Sequence, residues 1–106
     1  MTISTREQFA TAIKTSCDAY GLEAHSLQLY VDQGIEPGGF LAAVLENNFM
    51  EAAGRADSYN QFHLYDWAKV IYNDVPSGCH GSAKAVAEWI KSGGLVGQAC
   101  KEQEGT

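Results

Sequence analysis

No segment of this chain alternates apolar and polar residues over more than a few positions, which is the pattern of a half-buried β-strand. Apolar residues instead recur at intervals of three and four, the spacing of one face of an α-helix. Residues 29–32 and 69–73 have strand-like composition, but both segments lie inside that helical periodicity. The sequence therefore predicts an all-α protein.

The length of the chain limits the number of cores it can form. A sequence of 106 residues with 45% hydrophobic content is enough for one core and too short for two. Glycines that can close helices divide it into five or six short helices. We expect a compact single-domain bundle over residues 1–94 and a flexible C-terminal tail over residues 95–106, whose last six residues are poor in apolar side chains.

The longest predicted helix covers residues 58–73 and has Asp57 or Ser58 as its N-cap. It is apolar on more than one side, so we expect it at the centre of the bundle. The predicted core residues are Phe40, Leu45, Trp67, Ile71 and Trp89.

Capping signals set the other boundaries. Ser4 followed by Glu7 has capping-box spacing and predicts a first helix over residues 5–18. Gly34 is suited to close the second helix, and Ser82 is suited to cap the last one.

The segment Pro37-Gly38-Gly39 precedes a third predicted helix. Pro37 suits the first helical position, where its missing N–H costs nothing. Bare glycines at a helix start can bind an anion, but a phosphate loop also needs a preceding strand and a following Lys, which this segment lacks. We therefore expect Gly38 and Gly39 to allow the close approach of another helix or backbone.

The charge of the chain excludes one class of partner. Thirteen acidic and seven basic side chains give a formal net charge of −6, which argues against a sequence-independent grip on duplex nucleic acid.

No apolar run is long enough for a membrane span, and the N-terminus lacks the regions of a secretory signal. We expect a cytoplasmic protein with no membrane partner.

The spacing of the cysteines and histidines does not match a metal-binding or catalytic motif. Cys17, Cys79 and Cys100 are an odd, widely spaced set, typical of free thiols. Cys79 and His80 are adjacent, whereas structural zinc sites use paired ligands two to four residues apart. The same pair lacks any accompanying oxyanion or substrate-binding signal. We predict no metal, no cofactor and no enzymatic activity.

One stripe of the longest helix fits nucleic acid despite the acidic total. Tyr65, Lys69 and Tyr72 combine aromatic faces, which stack on unpaired bases, with a cation that can hold a phosphate. Arg55 and Lys84 are additional candidates. The alternative is that the stripe packs in the core, as aromatic residues at helical spacing usually do.

A second candidate surface is acidic. Glu46, Glu51, Asp57 and Asp66 can imitate the charge of DNA and occupy a basic groove of a protein target. Two of these residues also have structural explanations. Glu51 is placed to pair with Arg55 on the next helical turn, and Asp57 is placed to cap a helix.

Two resemblances add to these inferences. The segments "PGGFLAAVLENNFMEAAGRADSYN" and "YNDVPSGCHGSAKAVAEWIKSGG" resemble a group of small phage and prophage proteins, although His80 stands where that group is expected to have Trp. The motif itself implies no activity. The whole chain, including its length, is similar to anti-CRISPR proteins of Pseudomonas mobile elements directed against type I-E systems.

The second resemblance implies an inhibitor that binds the type I-E effector complex, its nuclease-helicase, or the single-stranded DNA exposed in the R-loop. It transfers no functional residue to this chain. The alternative is a phage accessory or structural protein that acts through helix-mediated assembly, and an enzyme is the least favoured possibility.

Overall fold

The computed structural model describes residues 5–98, and over that range the chain is helical and contains no strand. A further helical segment, residues 94–98, follows the last of the named helices. The all-α prediction is confirmed, with slightly more helices than the five or six expected. The named elements are α1 (Thr5–Tyr20), α2 (His25–Gln33), α3 (Gly39–Leu45), α4 (Phe49–Arg55), α5 (Ser58–Asp74), a 3₁₀ turn (Ser77–Cys79) and α6 (Ala83–Ser92).

The helices pack around α5, which contacts α1, α3 and α4. The first helix also packs against α2, and α3 contacts both α4 and α6. These contacts bury one face of α5 and leave another face exposed to solvent. Within the described residues, no helix has the length and apolar content needed to cross a bilayer.

The core contains four of the five residues predicted for it. Leu45, Trp67, Ile71 and Trp89 are buried. Phe40 is only partly buried, because it lies in the first turn of α3 and packs against the core from its edge. The prediction for Phe40 was therefore too strong, while the other four are confirmed.

Local capping explains three helix boundaries. Gly34 ends α2 in the left-handed conformation, with φ of 71°. The carboxylate of Asp57 accepts a hydrogen bond of 2.8 Å from the Asn60 N–H and caps α5. The hydroxyl of Ser82 accepts one of 3.1 Å from the Ala85 N–H and caps α6. All three predicted caps are confirmed.

Two other predictions concern the ends of the chain. Ser4, the predicted cap of α1, lies outside the described residues, as do residues 99–106 of the predicted flexible tail. Leu95 packs against the core from the helical segment that follows α6. The folded part of the chain therefore continues past residue 94.

The structure corrects the predictions made for Pro37, Gly38 and Gly39. Pro37 precedes the helix, since Gly38 is the N-cap residue and α3 begins at Gly39. The space around Gly38 is open, and a Cβ atom at Gly39 would lie 2.6 Å from Nη1 of Arg55. Gly39 therefore allows the close approach of another helix, α4, through the side chain of Arg55, whereas no described residue lies close to Gly38.

A close backbone approach does occur, between the end of α2 and the residues after α6. A Cβ atom built on Gly94 would lie 2.6 Å from the backbone nitrogen of Gly34. A Cβ atom on Gly34 would lie 2.8 Å from the backbone nitrogen of Gly94. The two glycines thus bring together parts of the chain that are far apart in sequence.

Candidate functional site

The candidate site begins with the uncovered side of α5, which carries Phe62, Tyr65, Lys69 and Tyr72 and is called here the α5 face. Intervals of three and four residues place these side chains on one side of the helix. Tyr65 is 71% exposed, Tyr72 82% and Phe62 84%, while Lys69 is half-buried. The possibility that the tyrosines pack in the core is therefore excluded.

The opposite side of α5 fixes this orientation. Trp67, Val70 and Ile71 are buried on it. The indole Nε1 of Trp67 donates a hydrogen bond of 3.1 Å to the side-chain oxygen of Asn60, one of the residues in the first turn of the same helix. Because this side is held in the core, rotation of α5 is prevented and the aromatic rings remain on the surface.

An apolar groove, called here the α4–α5 groove, runs beside the α5 face and has a volume of about 520 Å³. Large exposed side chains stand on it, with Phe49 at 66% and Phe62 at 84% exposure. Exposed apolar patches of this kind mark interaction sites in soluble proteins. The groove is lined by Val44, Asn47, Asn48, Phe49, Ala52, Gln61, Phe62, Leu64, Tyr65 and Ala68.

A smaller groove of about 350 Å³ extends this surface toward the C-terminal end of α5. It shares Val44, Asn47 and Ala68 with the α4–α5 groove, and it includes Tyr72 and His80. The two grooves are thus continuous. Together with the α5 face they form one surface that extends along the helix past both tyrosines.

Arg55 is not part of this surface. Its Nε lies 2.9 Å from the Oε2 atom of Glu51, as the spacing of the two residues predicted. Arg55, Glu46 and Glu51 line a different, mostly polar groove of about 560 Å³, which shares one lining residue, Asn48, with the α4–α5 groove. The carboxylate of Glu51 offsets the charge of Arg55, so this cation is poorly placed to assist the tyrosines.

The four acidic candidates do not form one surface. Glu46 and Glu51 lie in the groove with Arg55, whereas Asp57 caps α5 and lines a neighbouring groove. Asp66 lies elsewhere on α5, with its Oδ2 atom 3.0 Å from Nδ1 of His63. The acidic charge is therefore divided among separate places.

Lys84 is exposed in the first turn of α6. The main contacts of that helix are with α3 and the 3₁₀ turn. The structure therefore gives Lys84 no direct role beside Tyr65 and Tyr72, and Lys69 is the cation that the fold places between the two tyrosines.

The two described thiols lie in the core. Cys17 and Cys79 are fully buried, and burial raises the pKa of Cys17 to about 11 and that of Cys79 to about 12. Both thiols are therefore protonated at neutral pH and are poor nucleophiles. Among residues 5–98, no group of three or more His, Cys, Asp or Glu side chains is arranged to hold a metal ion.

The sequence analysis did not identify Phe49 and Met50 as surface residues. Phe49 is 66% exposed, and Met50 is 78% exposed. A signal was present, because neighbouring residues on a helix point about 100° apart and a short helix rarely buries both. Ala52 is the buried residue of α4, so both larger side chains face solvent.

No protein family, curated protein or solved structure matches this chain. Its function is therefore proposed from the chemistry of the α5 face and the α4–α5 groove.

Proposed function

We propose that this protein inhibits a type I-E CRISPR system by holding the single-stranded DNA that the effector complex displaces when it opens its target. The proposal joins the resemblance of the whole sequence to such inhibitors with the chemistry of the α5 face. Inhibition is stoichiometric and uses neither turnover nor a cofactor. The bound strand is withheld from the nuclease-helicase that would act on it.

The exposure of Tyr65 and Tyr72 is the observation that carries the proposal. Both rings project from one side of a single helix, and more than two thirds of each side chain is exposed. A separation of seven residues corresponds to about 10 Å along the helix axis, so the rings contact different nucleotides. Stacking of a base on an aromatic ring contributes about 1 to 3 kcal/mol, whatever the base.

The charge of the site is also compatible with a single strand. Lys69 lies between the two tyrosines on the α5 face and supplies a contact to one phosphate. Binding that depends mainly on stacking tolerates the net charge of −6, whereas duplex binding, which depends on many phosphate contacts, does not. We therefore expect binding to weaken only modestly with added salt.

Fluorescence anisotropy with a short labelled single strand tests the α5 face directly. Tyr65→Ala and Tyr72→Ala should each weaken binding by about 5- to 150-fold, the equivalent of one lost stacking contact. Lys69→Ala should reduce the slope of log affinity against log salt by about 0.7, the value for one phosphate on a single strand. Tyr20→Ala and Lys91→Ala, which alter exposed residues on other helices, are the matched controls.

A parallel pull-down with purified type I-E effector complex separates the possible targets. Capture only of the complex that carries an open R-loop supports the strand as the target, whereas capture of the DNA-free complex indicates a protein surface. Binding to neither would contradict inhibition by either route.

Loss of phage resistance on expression of the native chain, in a strain with an active type I-E system, distinguishes an inhibitor from a phage accessory protein.

A protein target is the second candidate, and the position of Glu46 and Glu51 in one groove favours it. Two carboxylates on that surface can engage a basic groove of the effector or of its nuclease-helicase. The double variant Glu46→Gln and Glu51→Gln should then weaken capture of the DNA-free complex and leave the affinity for single strands unchanged.

A further inference from the structure

We propose that the α4–α5 groove holds one unstacked nucleobase of the bound strand, so that the site grips a base as well as stacking on others. This inference rests on the proposed function, because it takes single-stranded DNA as the ligand of the α5 face. It adds a second element to that site, since Phe49, Asn47 and Gln61 then contact the strand.

The groove has the volume and the apolar lining of a small-molecule site. Its volume of about 520 Å³ lies within the range of about 300 to 1,000 Å³ found for ligand clefts. Phe49 and Phe62 are exposed aromatic side chains that line it, while Val44, Ala52 and Ala68 provide a small apolar surface. A planar, mostly apolar ring is the kind of group that such walls accommodate.

The polar groups of the groove suit the edge of a base. Asn47, Asn48 and Gln61 each contribute a carboxamide, which carries both donors and an acceptor, as base edges do. The Asn48 oxygen accepts a hydrogen bond of 3.3 Å from the Glu51 N–H. The carboxamides of Asn47 and Gln61 make no hydrogen bond to other described residues, so both can bind a ligand.

The charges of the groove argue against other occupants. None of its lining residues carries a charge, so it offers no opposite charge to a phosphate group or to the charged side chains of a protein. The phosphates of a strand would instead lie outside, toward Lys69. A neutral base is the part of a nucleotide that matches an uncharged aromatic groove.

The groove is also continuous with the α5 face. Tyr65 belongs to both, because it stands on the exposed side of α5 and lines the groove. A strand that stacks on Tyr65 and Tyr72 therefore passes the mouth of the groove. This position requires no rearrangement of the helices.

Three variants test the inference without disturbing the core. Phe49→Ala removes an exposed ring, and Gln61→Ala removes an exposed carboxamide. Asn47→Gly removes a second carboxamide but retains the backbone, since Asn47 has φ of 62° and glycine adopts that conformation readily. Gln8→Ala, an exposed carboxamide on α1, is the matched control.

The measurement is the affinity of each variant for labelled homopolymers of dT, dC and dA, accompanied by thermal melting. Phe49→Ala should weaken binding to all three by fivefold or more. Gln61→Ala and Asn47→Gly should change the ratio of affinities among the homopolymers by at least threefold, because they remove groups that contact the base edge. Gln8→Ala should change neither quantity.

Failure of the inference can be distinguished from failure of the proposed function. If the native chain binds single strands and Tyr72→Ala weakens them, but all three groove variants behave as native, the base is not in the groove and only this inference is overturned. If Phe49→Ala weakens capture of the DNA-free effector and leaves strand affinity unchanged, the groove binds protein, which also overturns it. Absence of strand binding by the native chain overturns both proposals.

Discussion

The hydroxyl group of Tyr30 donates a hydrogen bond of 2.6 Å to the backbone carbonyl of Cys79, a residue 49 positions further along the chain. Both residues are completely buried. The backbone carbonyl of Tyr30 in turn accepts a bond of 2.9 Å from the indole Nε1 of Trp89. One tyrosine therefore connects α2, the 3₁₀ turn and α6 by polar contacts within an apolar core.

Tyr30→Phe should lower the free energy of unfolding by about 1 to 3 kcal/mol, because the carbonyl of Cys79 loses its partner and remains buried. Urea denaturation monitored by circular dichroism measures this difference. Tyr20→Phe, at a partly exposed position, should change stability by less than about 0.5 kcal/mol. Equal effects of the two substitutions would show that the Tyr30 hydroxyl contributes nothing to stability.

The sequence predicted the boundaries of the helices better than it predicted the contacts between them. Helix boundaries depend on local signals, and the caps at Asp57 and Ser82 occur where the residue types require them. Tertiary contacts leave weaker signals. The spacing of Tyr65 and Tyr72 placed them on one face but did not determine whether another helix covers that face, and the bond from Tyr30 to Cys79 has no local pattern at all.

The glycines also show that tertiary contacts leave weaker signals in the sequence than helix boundaries do. Gly38 and Gly39 were predicted to allow the close approach of another helix or backbone, but the close backbone approach occurs between Gly34 and Gly94. Any glycine supplies the space that such a contact needs, so composition alone does not identify which one uses it. The choice depends on how α2 and α6 pack, which is a property of the whole core.

Gly94→Ala should be one of the most destabilising single-methyl additions to this chain. Gly94 has φ of 67°, and its new Cβ atom would lie 2.6 Å from the backbone nitrogen of Gly34, which cannot move aside as a flexible side chain can. Gly21→Ala is the matched control, since Gly21 has φ of 75° and nothing within 4 Å of the added atom.

The control should cost about 1 kcal/mol for the left-handed conformation alone, and Gly94→Ala should cost at least about 2 kcal/mol more. Thermal and urea unfolding of both variants provide the comparison. Similar losses for the two substitutions would mean that α2 does not approach Gly94 as closely as the structure indicates.

The ion pair of Arg6 and Asp32 predicts a dependence of stability on pH. The hydrogen bond from Arg6 lowers the pKa of the Asp32 carboxyl below its ordinary value, and Arg6 Nε lies 2.7 Å from Oδ1. A carboxyl with a depressed pKa in the folded state contributes stability above its unfolded pKa of about 3.9, and this is lost as pH falls through the folded pKa.

Asp32→Asn should therefore reduce stability by about 0.5 to 1 kcal/mol at pH 7, the range for a well-formed but partly exposed pair. The difference from the native chain should shrink below pH 4 and disappear at lower pH. Salt should also reduce it, because exposed charges are screened. A difference that stays constant from pH 7 to pH 2 would show that the substitution acts through packing.

The described cysteines should resist alkylation in the folded protein. Burial raises the pKa of Cys17 to about 11 and that of Cys79 to about 12, so almost no thiolate exists at pH 7. Mass spectrometry after iodoacetamide treatment should find both cysteines unmodified in buffer and modified in denaturant.

If inhibition requires no thiol or metal, replacing all three cysteines or adding a chelator should leave the inhibition intact in a protein that remains folded.

Two aromatic residues on α5 have opposite environments. Trp67 is buried and Phe62 is 84% exposed, although the two lie only five positions apart on the same helix. Trp67→Ala should lower the free energy of unfolding by about 3 to 5 kcal/mol, because it leaves a cavity in the core. Phe62→Ala should change stability by less than about 0.5 kcal/mol.

The order of effects should reverse for binding. Phe62→Ala removes a ring from the surface proposed to hold the strand and should weaken single-strand affinity by about fivefold or more. Trp67→Ala should leave that affinity within about twofold at temperatures where the variant remains folded, because Trp67 lies on the buried side of α5, opposite the proposed site. Unfolding and anisotropy measured on the same two samples check both halves. A large loss of stability in Phe62→Ala would show that the α5 face belongs to the core, and the proposed site would then be wrong.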